Sequence, residues 1–205
     1  MKERPIIFDA ESVRAILDGR KTQTRRVVVK PKRFENNDIY PIEAVGCFWW
    51  ASDGFSTGIE LHYPYGQPGD RLWLRETFAL MEDITFYAAD ERLEPKQWPN
   101  GLWNVDKWRS PIHMPRWASR ITLEVTGVRV ERLQNISEQD AVMEGWTAGP
   151  CARKTALNLS TTACGLAAID WFASRWDSLN ARRGFPWESD CWVWVVEFEL
   201  VRQSS

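Results

Sequence analysis

The stretch that most limits the fold is Ile121 to Val130. Ile121, Leu123 and Val125 alternate with polar neighbours and so share one face of a strand. After Gly127 the parity slips, and the apolar positions become Val128 and Val130. A period-2 pattern that slips at a glycine predicts a β-bulge. Bulged strands bend, and bent strands are what a small closed barrel needs. The last strand, 191–201, places Trp192, Trp194, Val196, Phe198 and Leu200 on one face, while Val193 and Val195 make its first half apolar on both sides.

The other segments are read in the same way. Ile6-Ile7-Phe8 is a short apolar strand, and Asp9 can cap the helix that follows. Val13, Ile16 and Leu17 form the apolar stripe of that helix, and Gly19 ends it as a left-handed C′ residue. Val27-Val28-Val29 begins a strand. Gln67-Pro68-Gly69-Asp70 is a turn. Beyond it Leu72 and Leu74 face one way, and Trp73, Arg75 and the strand-end Glu76 face the other. Thr85 to Ala88 forms a further strand, and Ser137-Glu138-Gln139-Asp140 resembles a capping box opening a short helix that Gly145 ends. Leu166, Ile169, Phe172, Trp176 and Leu179 mark a second amphipathic helix. Strands and helices are not regularly interleaved, which argues against a doubly wound parallel sheet. The expected class is α+β, a mostly antiparallel β-barrel with peripheral helices and long loops. The chain, 1–205, reads as a single domain with insertions at about 31–62, 89–112 and 146–165, the first holding a short hairpin.

Bulk charge narrows the partners. A net charge of −2 excludes a bulk polyanion binder, so any nucleic-acid contact must come from a local basic patch. The 13 tryptophans are enough to serve both core and surface. The four cysteines form no CxxC pair, and with only two histidines no metal site or cofactor is expected. The N-terminal residues lack the apolar region of a signal peptide, and no apolar run reaches the ~18 residues that span a bilayer. These features read as a cytoplasmic protein with reduced cysteines and no membrane partner. Its oligomeric state is not encoded in any pattern of this kind.

The chemistry concentrates between Asp18 and Arg26. Thr24 can be a nucleophile if a base takes its proton, and Lys21 can be that base if burial or neighbouring cations depress its pKa. Arg20, Arg25 and Arg26 are such cations. Glu76 is a candidate general acid or orienting partner. Residues three apart share a face in a helical turn and oppose each other in an extended strand, so this reading requires residues 20–24 to be turn-like. On spacing alone, a solvated basic turn at a helix end, favourable to the helix dipole, is the simpler reading.

Gly19-x-Lys21-x-x-Thr24-x-Arg26 matches the GxKxxTxR signature of the ASCH domain, a PUA-like β-barrel family. The preceding helix and the Pro68-Gly69-Asp70 turn leading to Glu76 fit as well. The chain resembles the larger ASCH-like proteins of phages and prophages in Tyr65 to Asp70, in Met114 to Arg120 and in its C-terminal Trp-Val-Trp-Val run. The resemblance implies a hydrolase acting on the amide of a modified cytosine nucleoside such as N4-acetylcytidine. In it Thr24 attacks the acyl carbon, Lys21 takes its proton and Glu76 assists the leaving amine, with no metal. This chain is about twice as long as those enzymes. Other members are proposed RNA binders or have been assigned ribonuclease activity, so a non-catalytic RNA-binding module and a metal-independent ribonuclease stand as alternatives.

Residues that can bind the substrate or a nucleic acid are Gly19 and Arg26 in the signature and Trp73 and Arg75 beside Glu76. His113 is a candidate base of a ribonuclease-like reaction. Arg116, Trp117 and Arg120 offer a ring to stack on a base and guanidinium groups for phosphate. For each the structural alternative is a loop or core residue with ordinary partners.

Overall fold

The computed structural model describes residues 1–29, 40–44, 47–52, 55–60, 63–81, 84–90, 108–147 and 161–201. In chain order these form β1 (Glu3–Ile7), α1 (Ala10–Leu17), β2 (Gln23–Val27), β3 (Tyr40–Ala44), β4 (Cys47–Ser52) and β5 (Phe55–Glu60). Then come β6 (Arg71–Arg75), β7 (Phe78–Met81), β8 (Ile84–Tyr87), β9 (Thr122–Arg132), α2 (Glu138–Met143), α3 (Thr161–Asn180) and β10 (Trp192–Leu200), with short 3-10 turns between them. The expected insertions at 89–112 and 146–165 lie largely outside the described residues. Within the one at 31–62, β3, β4 and β5 form a three-stranded antiparallel sheet where a hairpin was expected.

The principal sheet has the order β1-β6-β9-β10-β2. β1 runs parallel to β6, and the other three ladders are antiparallel. The predicted bulge is present. Glu197 pairs with Gly127 and Phe198 with Val125, so Thr126 is the extra residue on β9. The slip keeps Leu123 and Val125 on the same face as Val128 and Val130, and that face carries the first core. There Ile6, Leu72, Leu74, Trp194, Val196 and Phe198 pack with Phe8, Val13 and Ile16, and the Phe8 and Phe198 rings meet edge to face. The opposite face buries Val193 and Val195 against Phe172 and Trp176 of α3 and Leu133, Ile136 and Ala141. Both faces of β10 are therefore covered, as its doubly apolar sequence requires. A third cluster, Phe78, Met114 and Ala118, seats the β7–β8 hairpin.

The mixed α+β class expected from the sequence is observed, but among the described residues the sheet does not close into a barrel. β1 and β2 are its edges, with no ladder between them. The Arg26 side chain crosses that gap instead, and its Nη2 donates to the Ile7 carbonyl at 2.7 Å. A side chain thus satisfies an edge carbonyl that a closing strand would otherwise take.

Three local expectations are corrected. β2 begins at Gln23, not at Val27, and Val29 is 70% exposed. Gln23 and Arg25 can lie in a buried strand because the Gln23 amide and both Arg25 Nη groups are bonded within the fold, which the sequence does not display. Residues 23–24 are consequently extended and not turn-like, while Lys21 stands outside the ladder in an isolated bridge to Glu144. In α1 the buried stripe is Val13, Ala15 and Ile16, and Leu17 is 43% exposed. The caps follow the sequence. Ser12 N donates to Asp9 Oδ1, and Ser137 and Asp140 form a reciprocal capping box on α2. No helix among the described residues is long and apolar enough to cross a membrane.

Candidate functional site

Edge strand β2 presents two chemically different faces. Gln23 and Arg25 point to the α3 side, and Thr24 and Arg26 lie opposite Val196 and Trp194 on the side of the first core. A cavity of about 420 Å³ wraps this edge. It is walled by Ile7, Phe8 and Asp9, by Lys21 and Thr24 to Val27, by Pro64 and Tyr65, by Glu144, and by Trp171, Phe172 and Arg175 of α3. That volume falls in the ~300–1,000 Å³ range of small-molecule pockets. A smaller cavity of about 150 Å³ shares Ser12, Glu144, Trp171 and Arg175 with it.

Lys21 is 5% exposed. Its Nζ donates to the Glu144 carboxylate and, at 3.0 Å, to the Glu144 carbonyl, and it lies 5.9 Å from the Phe8 ring centroid. Loss of hydration drives the lysine pKa below its ordinary 10.5, the Glu144 carboxylate works against that fall, and Arg26 adds to it. Thr24 is 4% exposed and lines the same cavity. The nucleophile and base expected from the sequence therefore reach one cavity, although Thr24 sits in a strand.

Glu144 belongs to a buried ionic network that joins α2 to the sheet. Arg25 Nη1 reaches Gln23 Oε1 at 2.6 Å and Glu144 Oε1 at 3.4 Å, while its Nη2 reaches Glu131 Oε1 at 2.6 Å. Asp140 Oδ1 accepts from Gln23 Nε2 at 3.0 Å and from Arg129 Nη2 at 2.9 Å, and Arg129 also pairs with Glu197. Burial opposes ionisation of Asp140, yet Ser137, Gln23 and Arg25 hold its pKa down at about 2. Such a network adds little net stability over an apolar core, but removing one member strands the others. On the cavity's other wall Arg175 pairs with Asp9 and Glu11, tying α3 to the start of α1.

Glu76 lies elsewhere. It is 1% exposed and is not among the residues that line the cavity. Its carboxylate accepts from Arg120 Nε at 3.0 Å and Nη2 at 3.2 Å. Arg120 also bonds Asp90 at 2.7 Å and lies 3.9 Å from the Tyr87 ring centroid. Burial raises the Glu76 pKa, and Arg120 lowers it in part. The three residues of the expected constellation are thus divided, with Lys21 and Thr24 at the cavity and Glu76 in a separate ion pair.

The remaining expected binding residues also separate. Arg26 lines the cavity, and Gly19 shapes the α1 end with φ 72°. Trp73 faces outward with the Arg75 guanidinium 4.6 Å and that of Arg116 5.9 Å from its ring centroid, and Arg116 also pairs with Glu3. Trp117 is 70% exposed, and His113 is exposed. Among the described residues no cluster of three or more His, Cys, Asp and Glu is placed to hold a metal ion.

The sequence did not single out Glu144, Trp171 or Arg175 for this site. One signal was present for Glu144. A carboxylate at the C-terminal end of a helix opposes the dipole and needs a cation beside it.

No family model matches this chain, and no curated protein matches it. Among solved structures it is similar to the high-resolution crystal structure of an ASCH domain from Lactobacillus crispatus JV V101, at 14% identity. The similarity covers 97% of this chain and 79% of the other, with a TM-score of 0.36. A superposition that loose leaves fold and chemistry to rest on this chain's own residues.

Proposed function

We propose that this protein is a single-domain, PUA-like ASCH hydrolase of the cytoplasm that deacylates a modified cytosine nucleoside such as N4-acetylcytidine. One observation carries the reading. The signature residues Lys21 and Thr24 line the same small-molecule-sized cavity, and the lysine there is stripped of water. A lysine whose proton is loosened by desolvation can activate a threonine hydroxyl that shares its cavity. Aromatic walls at Phe8, Tyr65 and Trp171 suit a flat base.

In this mechanism Thr24 Oγ adds to the acyl carbonyl as its proton passes to Lys21 Nζ. The tetrahedral intermediate collapses by breaking the C–N bond, and the departing cytosine amine takes that proton back. The product is cytidine with the acyl group as an ester on Thr24. Water, deprotonated by the again-neutral Lys21, hydrolyses the ester and frees the acid. Glu144 holds the transient lysine ammonium in place. Glu76, whose charge is matched by Arg120, acts at a distance by fixing the end of β6. Incubation with N4-acetylcytidine should release cytidine and acetate, and Lys21→Ala or Thr24→Ala should reduce the rate at least 100-fold, the usual scale for a general base. No release by the wild type sinks the reading.

A second reading, a non-catalytic RNA-binding module, draws on Trp73 with the Arg75 and Arg116 guanidinium groups near its ring and on the exposed Trp117. Salt-dependent RNA binding weakened by Trp73→Ala, with no deacylation, would favour it.

A further inference from the structure

The charges lining the cavity do not balance. Among the described residues Lys21, Arg25, Arg26, Arg175 and Arg183 line it, against Asp9 and Glu144. Lys21 pairs with Glu144, Arg25 with Glu144, Glu131 and Asp140, and Arg175 with Asp9 and Glu11. Arg26 and Arg183 are left without a carboxylate among the described residues. The Arg26 guanidinium donates from Nη2 to the neutral Ile7 carbonyl, and its buried Nε has no partner. Arg183 donates from Nη1 to the neutral side-chain oxygen of Asn180 at 3.3 Å. Among the described residues, then, two guanidinium charges without a carboxylate line the same cavity.

We infer that the cavity takes an anionic ligand, a nucleoside carrying a phosphomonoester, with Arg26 and Arg183 as the phosphate's partners. This rests on the deacylase reading for the nucleoside half alone. Guanidinium groups suit the task, since they are always charged and bind phosphate oxygens with paired N–H donors. Arg26 is held in place by the Ile7 carbonyl and by the Phe8 ring, 5.0 Å from its guanidinium carbon. Arg183 is exposed, follows the end of α3 and lines the same cavity. A phosphate held by these two groups would share the cavity with Thr24 and Lys21.

The test is calorimetric binding by the full chain of cytidine, cytidine 5′-monophosphate, ribose 5-phosphate and a short cytidine oligoribonucleotide, none of which requires turnover. The inference expects the monophosphate to bind at least tenfold more tightly than cytidine at low salt. That ratio should fall toward one in Arg183→Ala, whose exposed side chain can be lost without disturbing the core, and in Arg26→Gln. Equal affinity for cytidine and its monophosphate overturns the inference and leaves the deacylase reading intact. Ribose 5-phosphate bound and cytidine not bound upholds the anion site and removes the cytosine reading. An unchanged ratio in both variants, tighter binding of the oligonucleotide than of the monophosphate, or binding of none of the four overturns it.

Discussion

Glu144 ends α2 at the position where the helix dipole disfavours a carboxylate, and it is only 7% exposed. Two cations make that position tolerable, Lys21 across the bridge and Arg25 from β2. The same contacts set the lysine's chemistry, because burial pushes its proton off and Glu144 holds it on. A base must be neutral to act, so kcat/KM for deacylation should rise with pH through a midpoint below 10.5. Glu144→Gln removes the charge that raises the lysine pKa, so the midpoint should move to lower pH in that variant. A midpoint that stays in place or moves up would separate Glu144 from the chemistry. At this scale the sequence revealed half of the pair. Lys21 stood in a recognisable spacing with Thr24, whereas its partner lies 123 residues away in a helix marked only by its caps.

The elements show the same division. The bulge in β9 was legible because Gly127 and the valines after it record it locally. The start of β2 was not, because Gln23 and Arg25 become strand residues only through bonds to α2 and β9. The α2 turn is where the two kinds of information meet. Gly145 has φ 108°, and a Cβ there would stand 3.2 Å from Ala15 Cβ and 3.4 Å from Lys21 Cβ. Gly19, at φ 72°, has nothing within 4 Å of its missing Cβ. Gly19→Ala should therefore cost only the left-handed backbone strain, about 1 kcal/mol. Gly145→Ala should cost more, on the order of 2–3 kcal/mol, because strain and crowding act together and the Lys21–Glu144 bridge shifts. Urea unfolding of both variants checks this, and equal costs would place no packing demand on the α2 turn.

Over the whole molecule, one sheet separates two cores, and an ionic network fastens α2 to it where β2, β10 and β9 meet. Asp140 serves that network and the α2 cap together, with a folded pKa of about 2, below its ordinary 3.8. A depressed carboxylate adds stability above its unfolded pKa and loses it as the pH falls through the folded value. Stability should accordingly drop between about pH 4 and pH 2, with a shallower slope in Asp140→Asn, and an identical slope would exclude Asp140 from the acid limb. The curl that brings β1 to β2 through Arg26 was not visible in sequence, because a barrel and an open sheet use the same alternating pattern. The edge left open is the one that holds Lys21 and Thr24 at a cavity. Whether those two residues form one catalytic unit is tested most directly by acetate release from N4-acetylcytidine in the wild type, Lys21→Ala, Thr24→Ala and the double variant. Residues acting as a unit lose almost everything at the first substitution, so the double variant should be no slower than the slower single one. Full activity in either single variant, or losses that multiply in the double variant, would contradict it.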